Sequence, residues 1–292
     1  IHDTMVTAHV INCHPGTTGL AYQVFAKTGH EYKQMVNIKN ISEESLENLC
    51  NYNCWDARYP IMMYKEQQSL LQGKLKKFNE FFHECLRTLA NYKFRGIQIN
   101  EKALNAVEDD FKEEMEACKK TVENSSGALE YNRISKEVEG EPLDINSPAQ
   151  IGKLLYDICK VPITKKRKTR TGKGGTSKEV FAEILNSTDD LEVKATLMNV
   201  TTYRKSIKVL ERVAEYRRLI DPSWRVHPTF NLNIARSYRS TADRPNIQNV
   251  FKHDERQKMF RRCIVPRKNH IFLEPDYSGA EICIAAMISG DP

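Results

Sequence analysis

Two carboxylates near the end of this 292-residue chain, Asp276 and Glu281, stand in a setting suited to metal-assisted chemistry on phosphates. Asp276 follows Ile271-Phe272-Leu273, an apolar run with strand character. Ser278-Gly279 then turns the chain into a second apolar run, Ile282 to Ile288, with helical character. An acid at a strand end, beside the backbone carbonyl of Tyr277, offers two hard oxygen donors of the kind magnesium takes in phosphoryl transfer. One carboxylate cannot hold two metal ions. Taken alone, Asp276 is equally well read as the cap of the following helix.

A second constellation lies upstream, in Arg239-Ser240-Thr241-Ala242-Asp243-Arg244-Pro245-Asn246-Ile247-Gln248-Asn249. Pro245 fixes a turn, and Asn246, Gln248 and Asn249 carry amides that both donate and accept hydrogen bonds. Amides and an arginine beside a metal carboxylate suit the minor groove, whose acceptors are similar for every base pair. By itself this segment also reads as an ordinary polar surface turn.

Charge distribution points the same way. The net charge is only +6, but Thr164 to Lys178 holds Lys165, Lys166, Arg167, Lys168, Arg170, Lys173 and Lys178 with no acid. Between Trp224 and Lys268 basic residues again outnumber acids. Two separated basic blocks are the electrostatic footprint of a phosphate-backbone partner.

The elements that must position these groups are mostly helical. Ser42-Glu43-Glu44-Ser45 caps a helix that Pro60 is expected to interrupt or restart. Leu70, Leu71, Leu75, Phe78, Phe81, Phe82, Leu86 and Leu89 recur at helical steps and read as core. Phe94 to Asn100 is an extended break. Asn100 caps a helix with Leu104, Val107, Phe111, Met115 and Cys118 on one face, and its acidic stretch Glu108 to Glu116 reads as a solvated side. Ser125-Ser126-Gly127 marks a loop. Ser147-Pro148 starts a helix to about Cys159. Ser177 opens another to about Leu185, and a further helical region covers Leu191 to Leu219. After Asp221-Pro222 the pattern shifts to strands and turns. Trp224 and Tyr238 read as packed, and His227, His253 and His270 as structural or exposed.

Length allows two or more compact units. The eight cysteines lack a CxxC pair, which suggests a reducing cytoplasm rather than a disulfide framework. Cys50 and Cys54 lack the partners a zinc site needs. No apolar run approaches the roughly 20 residues that span a bilayer, and no secretion signal opens the chain. Because Ile1 is not Met, the natural start is expected upstream.

Arg239 to Asn249, followed after 26 residues by Asp276-Tyr277-Ser278 and Glu281, resembles the palm of family A DNA polymerases. That family carries an Arg-x-Ser-Ser-x-x-Pro-Asn-Leu-Gln-Asn run and then an Asp-Tyr-Ser-Gln-Ile-Glu-Leu-Arg run. Asn146-Ser147-Pro148 resembles a helix start in its thumb, and Lys166 to Lys178, with Thr169, Thr176 and Ser177, resembles its thumb tip. His2-Asp3-Thr4-Met5 and Tyr52 to Asp56 are similar to the last part of a proofreading 3′–5′ exonuclease.

The resemblance implies an α+β, helix-dominant fold: a partial right hand with the C-terminal remnant of an RNase H-like exonuclease at residues 1–66, a helical thumb at 67–220, and the first half of a palm at 221–292. It implies two catalytic magnesium ions in the intact enzyme, with Asp276 one ligand of both and the Tyr277 carbonyl a further donor. Glu281 would sit under the incoming sugar. Lys165, Lys166, Arg167, Lys168, Thr169, Arg170, Lys173, Ser177, Arg239, Thr241, Asn246, Gln248 and Asn249 would touch DNA. Tyr52 would orient water and Asp56 would bind metal in the exonuclease. Implied partners are primer-template DNA and deoxynucleoside triphosphates, in a cytoplasmic, plausibly bacteriophage, replication enzyme. The chain departs from the pattern at Thr241-Ala242 for the paired serines, at Gly279 for Gln and at Cys283 for Arg. The fingers helix, the second palm carboxylate and the first two exonuclease motifs are not in it, so the isolated chain is expected to be inactive. Two other readings stay open: a non-catalytic duplex-binding module, or half of a split polymerase completed by a second polypeptide.

Overall fold

The computed structural model describes residues 2–169, 172, 174–251 and 254–290. Arg170, Lys173 and His253, singled out above, lie outside the described residues.

Short helices α1 (Thr4–Ile11) and α2 (Leu20–Thr28) lead into α3 (Leu46–Leu70). Asp3 caps α1 by accepting from the amides of Met5 and Val6, and Ser45 caps α3 by accepting from Asn48. Pro60 does not interrupt α3, contrary to expectation. A mid-helix proline removes one hydrogen bond, but Tyr59, Met63 and Gln67 are buried beside it and hold the helix through packing. The expected unit boundary at residue 66 therefore falls inside a helix.

Next come α4 (Gly73–Arg95), the strand β1 (Ile97–Ile99) and α5 (Glu101–Glu123), with Asn100 capping α5 through Ala103. Ser125 caps α6 (Ser126–Glu137), so Ser125-Ser126-Gly127 is a helix start rather than the expected loop. Ser147 caps α7 (Pro148–Lys153), which continues as a π-helical turn over Leu154–Ile158. Two more helices, α8 (Lys178–Ser187) and α9 (Leu191–Leu219), close the helical part.

Helices α5 and α9 form the spine. Arg217 pairs with Glu108 and the buried Ser206 donates to Glu114, so the two run antiparallel. Between them Leu104, Val107 and Phe111 pack on Val209, Val213 and Tyr216. The acidic stretch on α5 is thus only partly a solvated face: Asp109, Glu113 and Glu116 are exposed, whereas Asp110 and Glu114 hold Arg256.

The remaining strands are β2 (Arg225–Val226), β3 (Thr229–Asn231), β4 (Thr241–Asp243) and β5 (Ile264–Val265). β1 is the centre of an antiparallel sheet ordered β2-β1-β5, with Ile97 opposite Val226 and Ile99 opposite Ile264. The extended break read at 94–100 therefore ties the helical segment to the C-terminal one, and Val226, Phe260 and Cys263 share a core with α5 and α9. A smaller cluster joins Val6 and Val10 of α1 to Phe82 and Leu232. No helix among the described residues is long and apolar enough to cross a membrane.

Candidate nucleic-acid and metal site

β3 and β4 pair antiparallel, with Phe230 opposite Ala242 and Asn231 opposite Thr241. This hairpin delivers Arg239 just before β4 and the amide cluster just after it. The Asn246 side chain accepts from the Asn249 amide at 3.2 Å, and Gln248 Nε2 donates to Ser240 Oγ at 3.0 Å. Gln248 is thereby folded back beside Arg239. The Thr241 hydroxyl is buried and has no hydrogen-bond partner among the described residues.

The last helix, α10 (Ala280–Ser289), starts at Gly279, whose left-handed backbone (φ 68°) favours a residue without a Cβ. Gly279 occupies the capping position and no side chain caps the helix. Asp276 is exposed, and among the described residues no hydrogen bond or ion pair engages its carboxylate. Glu281 lies in the first turn of α10, a favourable end of the helix dipole for an acid. Its Oε1 accepts from Arg239 Nη2 at 2.8 Å. The two motifs, far apart in sequence, meet at that contact. Ile271-Phe272-Leu273 forms no strand, against expectation; it is exposed coil, because a strand needs a neighbouring ladder and none of the described residues provides one.

Of the basic stretch, Lys165, Lys166, Lys168, Thr169 and Ser177 are exposed, and Ser177 caps α8 through Val180. Arg167 is a correction: it is buried, its guanidinium bonded to Glu183, Ser187 and the Pro162 carbonyl, and it cannot reach a phosphate. Three lysines absent from the candidate list emerge instead. Lys178, Lys205 and Lys208 line a groove of about 500 Å³ together with Asn249. Lys205 and Lys208 sit three apart on α9, so helical spacing alone puts them on one face. Lys205 is also held by Asp254 at 2.6 Å.

Tyr52 and Asp56 lie together on α3, but not as an open metal site. Lys33 Nζ contacts both Asp56 oxygens, at 2.7 and 3.0 Å, and also the Tyr52 hydroxyl; the Tyr32 hydroxyl donates to Asp56 at 2.8 Å. Partial burial pushes the Asp56 carboxyl up, but the bonds from Lys33 and Tyr32 outweigh it and hold the carboxyl below its usual range. Burial and the neighbouring carboxylate push the Tyr32 hydroxyl up to about 12. A lysine ammonium already supplies the positive charge that a metal would bring.

The profile of DNA polymerase family A matches residues 112–292, which takes in the basic stretch Lys165 to Lys178, the Arg239–Asn249 turn and Asp276. The chain belongs to DNA polymerase family A. DNA polymerase I of Caldicellulosiruptor bescii is 34% identical over 59% of this chain and 19% of its own length. DNA polymerase I of Synechocystis sp. is 24% identical over 99% of the chain and 28% of its own length. The chain therefore spans well under a third of these relatives. Among solved structures, the POL domain of Pol1 from M. smegmatis, in complex with DNA primer-template and dNTP, superposes with a TM-score of 0.70 at 19% identity. That likeness covers 99% of this chain and 45% of the other, and it establishes a shared fold.

The metal question divides by site. Among the described residues no three His, Cys, Asp or Glu side chains cluster as a ready-made metal cage. Magnesium seldom needs one: it keeps waters and binds through one or two carboxylates plus substrate phosphates. Asp276, exposed and uncommitted, with the Tyr277 carbonyl beside it, fits a share of such a shell. Asp56, neutralised by Lys33, does not fit.

Proposed function

We propose that this chain is the part of a DNA-directed DNA polymerase that grips the primer-template duplex and supplies the first metal-binding carboxylate. In this reading it comprises a helical thumb, the first half of a palm and the end of an exonuclease-like domain, and its source is a bacteriophage. The intact enzyme would add deoxynucleotides to a primer 3′-hydroxyl in the cytoplasm, with its remaining parts on the same polypeptide or on a second one. The carrying observation is the 2.8 Å contact between Arg239 and Glu281, which brings the minor-groove turn to the Asp276 segment.

Each group then has a physical task. Lys165, Lys166, Lys168, Thr169 and Ser177, with the groove lysines Lys178, Lys205 and Lys208, attract the phosphate backbone without reading sequence. Arg239, Gln248, Asn246 and Asn249 present donors to minor-groove acceptors common to all base pairs. Glu281, held by Arg239, forms the floor for the incoming sugar. Asp276 and the Tyr277 carbonyl would hold magnesium, which when bound neutralises charge on the triphosphate. Held this way, the primer end is oriented for attack, and orientation is a large part of what an enzyme contributes to such a transfer.

The test uses the 292-residue chain and a labelled primer-template duplex. Binding should weaken steeply with salt, and Arg239→Ala should weaken it further, while Asp276→Ala leaves it within about twofold. In the intact polymerase Asp276→Ala should abolish extension. Duplex affinity lost in Asp276→Ala together with activity counts against a metal role for this residue.

A further inference from the structure

The basic loop between Lys165 and Ser177 does not turn all its cations outward. Lys165, Lys166 and Lys168 are exposed, whereas Arg167 among them is 3% exposed. Its Nη1 donates to the Pro162 carbonyl at 2.9 Å, Nε donates to Glu183 Oε2, and Nη2 donates to the Ser187 hydroxyl. One planar fork thus ties the entry of the loop to the C-terminal half of α8. A lysine, with a compact ammonium, cannot span those three acceptors in one plane.

The opposite strand of the loop is held as well. Lys168 pairs with Gly174 in an antiparallel bridge, and the Gly175 amide donates to the Arg167 carbonyl at 2.6 Å. Tyr156 closes over these glycines: its hydroxyl donates to the Gly175 carbonyl at 2.6 Å, and a Cβ on Gly174 would lie 2.1 Å from its ring. Tyr156 belongs to the π-helical turn, in which the Cys159 amide bonds to the Leu154 carbonyl five residues back. Such turns re-aim side chains and recur at functional places.

We propose that Arg167 and Tyr156 are positioning residues for duplex binding: they touch no nucleic acid, and they hold the loop in the shape that presents Lys165, Lys166 and Lys168 as one phosphate-binding surface. The inference rests on the duplex-binding reading above. Its physical basis is preorganisation, since three lysines on a slack loop must each be ordered when DNA arrives, whereas a braced loop has met that cost on folding.

The test compares the 292-residue chain with its Arg167→Met, Arg167→Lys and Tyr156→Phe variants. Affinity for a labelled primer-template duplex is measured across a salt series, where each neutralised phosphate contributes about 0.9 to the log–log slope. The expected result for Arg167→Met is a slope reduced by more than about 0.9, because one substitution misplaces three lysines, and Arg167→Lys does not restore it. Tyr156→Phe, which keeps the ring, gives a smaller loss in the same direction and serves if Arg167→Met does not fold. Trypsin should also cut faster after Lys165, Lys166 and Lys168 in Arg167→Met and in Tyr156→Phe. A slope reduced by only about 0.9 and restored by lysine makes Arg167 a direct phosphate contact and overturns the proposal, as does an unchanged slope. A wild-type chain with no salt-dependent duplex binding overturns the functional reading and this inference with it.

Discussion

Arg239 and Glu281, 42 residues apart, meet at 2.8 Å with both side chains largely open to water. An exposed pair of this kind contributes less than about 1 kcal/mol to stability. Its value is geometric: it brings the residue just before β4 to the first turn of the helix that follows Asp276. Replacing Glu281 by Ala should move the urea midpoint little, and should lower duplex affinity less than Arg239→Ala does. Equal losses of affinity would mean that Arg239 works only through its partner.

The cap positions separate structural acids from Asp276. Asp190 accepts from the amides of Glu192 and Val193 at the start of α9, so Asp190→Ala should cost about 0.5–2 kcal/mol in chemical unfolding. Asp276 caps nothing, and Asp276→Ala should stay within about 0.5 kcal/mol of the parent. A loss near 1 kcal/mol at Asp276 would return it to a capping role.

Phe111 is fully buried between α5 and α9, with the Arg256 guanidinium 4.9 Å from its ring centre. Truncation to Ala removes the ring and leaves a cavity in the spine, at a cost of about 3–5 kcal/mol. Equilibrium urea denaturation reads this directly. A loss below about 1 kcal/mol would show that the two helices do not depend on this packing.

The Lys33–Asp56 pair makes a pH prediction with a definite sign. The Asp56 carboxyl sits below its ordinary value, so its stabilisation is present above about pH 4 and disappears as pH falls through the lowered folded-state value. For Lys33, burial alone would lower the ammonium pKa, but the bonds it donates to Asp56 and Tyr52 raise it. Its share is therefore present below about pH 10 and is lost only as pH rises beyond that. The stability difference between the parent and Asp56→Asn should be flat from about pH 5 to 9 and shrink in acid. A difference that grows in acid would contradict the pairing.

Much of this protein was legible from local chemistry. Ser45, Asn100, Ser147 and Ser177 cap the helices that their positions announce, and the long α9 follows the apolar spacing to Leu219. Capping and helical periodicity act within a few residues, so they are written in the chain itself. The family, too, was readable, because two short motifs at fixed spacing carry it.

What the chain alone left undecided depended on distant partners. That β1 would sit between β2 and β5, that Pro60 would lie inside an unbroken helix, and that Ile271 to Leu273 would find no ladder all turn on contacts between segments far apart in sequence. The charged residues show the same division. Lysines and arginines in a run look alike on paper, yet Arg167 is spent on Glu183 inside the fold, Lys33 neutralises Asp56, and Lys205 and Lys208 line one groove with Asn249. Sequence composition determined that there was positive charge to place; tertiary packing decided which cations face outward, because burying a charge is tolerable only where an opposite charge waits for it.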